Sequence, residues 1–128
     1  MILDAGILIS IDRNEQAARQ FVVATERSGR SLHTSHPVVA QVWRGENRQA
    51  RLARFVGSLE RHPFADGRSV GRLLGRSGTS DVVDAHLVLL AAELGQDILT
   101  GDVNDLRALG EALAAEFGAS APVIHSWP

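Results

Sequence analysis

The chain has 128 residues, 45% of them hydrophobic and 22% charged, with a formal net charge of -2; these values fit a single globular domain over 1–128 and exclude a disordered chain or a coiled coil. There is no cysteine, and all 13 basic side chains are arginine, which excludes thiol nucleophiles, disulfides, thiolate zinc sites, Schiff bases and the phosphate-binding lysine of P-loops. No apolar run approaches the ~18–20 residues needed to span a bilayer, and the opening MILDAGILISID has no basic leader region, so a cytoplasmic chain without a targeting segment is expected.

Apolar runs alternate between strand-like and helix-like lengths. Met1 to Leu3 reads as a buried strand ending at Asp4, and Ile7 to Ile11 as a short helix. Asp12 and Glu15 have the spacing of a capping box, predicting a second helix to about Arg27 with Gly29 as its stop. Ser31 to Thr34 reads as the second strand. Pro37 then suits the first turn of a helix capped by Ser35 or His36, with Gly45 as its break. A further helix is predicted from about Asn47, closed by Pro63, with a weak strand around Arg61 to Phe64. Gly67 to Gly78 predicts a short amphipathic helix. Asp81 to Leu94 is apolar on nearly every face and predicts a central, buried helix ended by Gly95. Ile98 to Thr100 reads as a strand, Val103 to about Phe117 as a helix and Pro122 to His125 as the last strand.

Short apolar strands separated by helices predict an α/β fold, a parallel sheet covered on both faces. Ligands bind such sheets at the carboxyl ends of the strands, and three acids fall there. Asp4 follows the first strand, Asp102 follows the Ile98 strand, and Asp84 lies one turn into the central helix. Asp81 and Asp84 share a helix face at i and i+3, as do Asp102 and Asp105, so all five can meet in one pocket. Each also has a structural explanation: Asp81, Asp102 and Asp105 suit helix N-termini. Asp4 and Asp84 are harder to explain that way, because a carboxylate buried without a partner is costly. Clustered carboxylates need protons, arginines or a cation, and an oxygen-only donor set selects Mg²⁺ or Mn²⁺. A cation so held can assist attack on a phosphodiester.

Charge is segregated along the chain. Residues 1–76 carry twelve arginines against seven acids, and residues 77–128 one arginine against eight. Arg44, Arg48 and Arg51, at i, i+4 and i+7, and Arg68, Arg72 and Arg76, at i, i+4 and i+8, predict two basic helical stripes. These would bind RNA phosphates or an acidic partner, or form a solvated face. The five histidines contain no HxxxH pair and are scattered, which gives no zinc site, and His86 sits on a different helix face from Asp84. Trp43 and Trp127 read as core or dimer contacts.

Leu3-Asp4-Ala5, Asp84-Ala85-His86-Leu87-Val88 and Leu99-Thr100-Gly101-Asp102, in this order and spacing, resemble the signature blocks of PIN-domain proteins, in particular VapC-type toxins of bacterial toxin–antitoxin pairs. The resemblance covers essentially the whole chain. It implies a sheet of order 3-2-1-4-5 and a metal-dependent endoribonuclease, usually dimeric and neutralised by a small VapB-type antitoxin. Asp4, Asp84 and Asp102 would be the acidic catalytic and Mg²⁺- or Mn²⁺-binding residues, with Thr100, Asp81 and Asp105 in support. One position departs from the pattern: Gln41 stands where the family usually has Glu. Glu46 is a poor substitute, since five helical steps put it about 140° around from Gln41, and Asp81 or Asp105 could restore the charge. Gln41 therefore opens a second reading, a catalytically weakened PIN domain that binds RNA or an antitoxin. Phosphoacceptor domains of the receiver or HAD type also use a strand-end Asp, but they expect a lysine that is absent here.

Overall fold

A computed structural model describes residues 1–128. The elements in chain order are β1 (Ile2–Leu3), α1 (Ala5–Asp12), α2 (Gln16–Ser28), β2 (His33–Ser35), α3 (His36–Val42), α4 (Ala50–Ser58), β3 (Glu60–His62), α5 (Gly67–Ser77), α6 (Val82–Leu94), β4 (Ile98–Thr100), α7 (Val103–Phe117) and β5 (Ile124–Ser126). All strand pairs are parallel, and the sheet order is β3-β2-β1-β4-β5. This is the expected α/β architecture with a PIN-like sheet.

The chain winds outward from β1 through β2 to β3, then crosses back to β4 and on to β5. Strand order therefore reverses between β1 and β4, which creates a crevice beyond their carboxyl ends. The helices form two packed groups. α1 contacts α2, α3 and α4, while α5, α6 and α7 contact one another. A continuous core of 27 buried hydrophobic residues joins sheet and helices, with Ile2, Leu3, Ile98, Leu87 and Val88 wholly enclosed. α6 buries His86 together with Ala85, Leu87, Val88, Leu90 and Ala91, which explains its near-absence of a polar face, and Gly95 closes it in the left-handed conformation.

Two local expectations need correction. The Asp12–Glu15 capping box does not form. α1 continues through Asp12, and Glu15 precedes α2 without a side-chain cap bond. Between them Asn14 adopts a φ of 55°, a left-handed turn that asparagine tolerates. The Arg44–Arg48–Arg51 stripe does not form either. α3 stops at Val42, α4 starts only at Ala50, and these arginines share no helix. The cause is Gln49, whose buried side chain accepts from the Arg44 and Gly45 backbone N–H groups (2.7 and 3.2 Å) and donates to the Val42 carbonyl (2.9 Å) and Asp12 (3.2 Å). One amide thus satisfies the loop backbone that a continuing helix would have satisfied.

Candidate functional site

Asp4 leaves the central strand directly into α1. The residue is only 6% exposed, yet both side-chain oxygens are paired. Oδ1 accepts the Ala5 backbone N–H at 2.7 Å as the helix N-cap, and Oδ2 accepts the Thr100 hydroxyl at 2.6 Å. The Thr100 oxygen in turn accepts the Asp102 backbone N–H at 2.9 Å. A short polar chain therefore crosses the β1–β4 switch point and fixes the start of the segment after β4. Thr100 is fully buried, and the low dielectric around it strengthens these bonds.

Asp102 occupies the N-cap position of α7 but makes no capping bond, and it is exposed. Its carboxylate is thus not consumed by helix capping. Asp81 behaves differently: it caps α6, accepting the Asp84 backbone N–H at 3.0 Å. Asp84, half-buried in the first turn of α6, has its carboxyl pushed up to about 7, first by burial and then by the negative charges of Asp81, Asp4, Asp102 and Asp105. Four acids, from the end of β1 and the starts of α6 and α7, therefore act electrostatically on Asp84. Their donor atoms are all carboxylate oxygens, a set that suits a hard divalent cation.

Gln41 is exposed on the last turn of α3 and forms no hydrogen bond with these acids. Arg44 folds back to donate to the Ala40 and Trp43 carbonyls, and Arg51 donates to the Asp12 carbonyl at 3.3 Å. Only Arg48 of the three projects free from the loop, where it and Arg44 line an open concavity of about 530 Å³. On α5, Arg72 pairs with Glu116 at 3.2 Å and lies over the Phe117 ring, while Arg68 and Arg76 are exposed. Trp127 packs edge-on against Phe21 and donates to Ser10, a core contact that ties the last residues to α1.

The histidines are less scattered than their sequence spacing implied. His33 and His62, 29 residues apart, approach to 3.0 Å between ring nitrogens, because β2 and β3 are neighbours in the sheet. Only strand pairing reveals this contact, so no local motif could have signalled it. His86 is 4% exposed and packs at a tilt against Phe64, with ring centroids 4.9 Å apart. Its buried Nδ1 has no partner, and burial holds its pKa below the ordinary value.

No family model and no curated protein matches the chain. Its backbone is similar to three solved structures over nearly their full lengths. VapBC2 from Rickettsia felis, bound to a DNA fragment from its promoter, aligns with a TM-score of 0.69 at 15% identity, covering 99% of this chain and 98% of that one. FitAB bound to an IR36 DNA fragment gives 0.63 at 16%, covering 98% and 93%. PAE2754 from Pyrobaculum aerophilum gives 0.58 at 18%, covering 96% and 88%. At these identities the likeness establishes the PIN-like fold.

Proposed function

We propose that the chain is a metal-dependent endoribonuclease acting as the toxin of a cytoplasmic toxin–antitoxin pair, paired with a small VapB-type antitoxin and assembled as a homodimer. The observation that carries the nuclease reading is the convergence of acids beyond the carboxyl ends of β1 and β4, where hydrogen bonds through Thr100 tie Asp4 to the Asp102 backbone and where burial and four neighbouring acids raise the Asp84 carboxyl. Such crowding of like charge is expensive, and it is retained where a cation neutralises it or a proton is used. Similarity to VapBC2 and FitAB supports the toxin–antitoxin setting.

In this reading Asp4, Asp84 and Asp102 hold Mg²⁺ or Mn²⁺, with Asp81 and Asp105 adding negative charge around them. The ion would supply Lewis acidity toward the scissile phosphodiester. Thr100 orients the Asp4 carboxylate and holds the Asp102 backbone in place. Arg48, Arg68 and Arg76 are free to meet RNA phosphates. The test is cleavage of structured RNA by the purified chain with Mg²⁺, Mn²⁺ or EDTA, alongside Asp84→Asn and Asp102→Asn. Cation-dependent cleavage lost in both variants is the expected result. Cleavage that survives both substitutions refutes the site assignment, and RNA binding without cleavage by the wild type supports the weakened-domain reading that Gln41 suggests.

A further inference from the structure

Away from the acidic crevice, three side chains with metal-ligating atoms converge on β2 and β3. We propose that His33, Glu60 and His62 form a second metal site, selective for zinc or another late first-row divalent cation and independent of the proposed nuclease centre.

The strand register creates it. His33 lies opposite Glu60, and Ser35 lies opposite His62, so the two-residue alternation of strands puts His33, Glu60 and His62 on one face of the sheet. His33 Nδ1 is 3.0 Å from His62 Nε2 and 3.2 Å from Glu60 Oε2, and all three ligand atoms lie within 4.8 Å of one another. A tetrahedral zinc ion with bonds of about 2.0–2.1 Å spaces its ligand atoms about 3.3–3.4 Å apart, so only small side-chain rotations separate this arrangement from coordination. The ring centroids are 5.2 Å apart with the planes tilted by 25°. The nitrogen-to-nitrogen gap fills most of that separation, so the nitrogens face each other edge to edge.

The surroundings support the same assignment. The His33 side chain is 10% exposed and is anchored in the sheet, whereas Glu60 is 61% exposed, which leaves a path from solvent. Ser31 donates to Glu60 Oε1 at 3.1 Å, orienting the carboxylate with Oε2 toward His33. Two imidazoles and one carboxylate are the protein ligands of an open zinc site, with a fourth position left to water. Imidazole prefers zinc and its late first-row neighbours, whereas the oxygen-only crevice prefers harder ions. β3 is an edge strand of three residues, so an ion bridging it to β2 would fasten the sheet margin.

Zinc titration of the metal-stripped chain by calorimetry, with excess Mg²⁺ present, tests the proposal. A single saturable equivalent is expected, together with a rise in melting temperature. Glu60→Gln, at an exposed position, and His62→Gln, at a half-buried one on the edge strand, should each weaken zinc binding at least about tenfold while their circular dichroism stays native. Asp84→Asn should leave the zinc isotherm unchanged. No saturable zinc binding by the wild type reduces the cluster to a hydrogen-bonded histidine pair and overturns the proposal. Binding that persists in both the Glu60 and His62 variants, or that disappears in Asp84→Asn, overturns it equally.

Discussion

Thr100, at the end of β4, donates its hydroxyl to Asp4, at the end of β1, over 2.6 Å and across 96 residues of sequence. Its oxygen also accepts the Asp102 backbone N–H. Thr100→Val keeps the volume but removes both bonds, leaving one oxygen of a buried carboxylate without its donor. The expected loss is about 1–3 kcal/mol in urea unfolding, with Thr100→Ser retaining most of the stability. Equal stability of the valine variant would show that this polar chain does not hold the crevice.

Asp84 gives a pH signature of defined sign. Its carboxyl sits at about 7 in the folded chain against an ordinary 3.8, so between these values the folded state keeps a proton that the unfolded state has released. The stability contributed by Asp84 is complete below about pH 4 and is lost as pH rises through about 7. In EDTA, Asp84→Asn should therefore stabilise the chain at about pH 8 relative to wild type, by about 1–2 kcal/mol once solvent screening of a half-exposed group is allowed for. Carboxyl ¹³C titration of the wild type should show a midpoint near 7 that falls when Mg²⁺ is added. A midpoint in the ordinary aspartate range would remove the basis of the effect.

Cation affinity should depend little on Gln41. The charges of Asp81 and Asp105 already act on Asp84, and Gln41 is exposed on α3 without a bond to the acids. Gln41→Glu should change Mn²⁺ affinity less than about threefold, and the double variant Asp81→Asn/Asp105→Asn should lower it about tenfold, about 1.4 kcal/mol. Paramagnetic line broadening or calorimetry measures both. A large gain from the glutamate would mean that nothing in the native chain compensates for the missing charge.

The three arginines around α3 and α4 should separate into two behaviours. Arg48→Ala should leave stability within about 0.5 kcal/mol while reducing the salt dependence of RNA binding by about one phosphate contact. Arg44→Ala and Arg51→Ala remove bonds to the Ala40, Trp43 and Asp12 carbonyls and should cost about 0.5–1 kcal/mol each. Salt-series binding paired with thermal unfolding distinguishes them. Identical behaviour of all three would argue for a common role.

How much of this was readable in advance follows the range of the interactions. The alternation of strands and helices, the strand-end position of Asp4 and the capping by Asp81 depend on local periodicity and on neighbours within one turn, and the structure has them. The sheet order came from the family resemblance and not from the residues themselves, since nothing local says that β4 pairs with β1. Gly45 marks the break after α3, but local periodicity starts the next helix near Asn47 and not at Ala50 and draws an arginine stripe across the loop, because that loop rests on one glutamine reaching Asp12, 37 residues away. The His33–His62 approach was missed for the same reason: its partners are distant in sequence and adjacent only across a strand pair. At the crevice, residue type placed the acids, but which of them are free and which serve as caps emerged only from their hydrogen bonds.

Asp4 serves two requirements at once, since its carboxylate starts α1 as well as facing the crevice, whereas Asp102 caps nothing. Selection for folding alone is enough to retain Asp4, so a descendant that had lost its chemistry would still carry it. Asp102 has no such protection and would drift first. On the proposed nuclease reading, an aspartate at position 4 among relatives of this chain would report the fold, and one at position 102 would report whether that chemistry is still under selection.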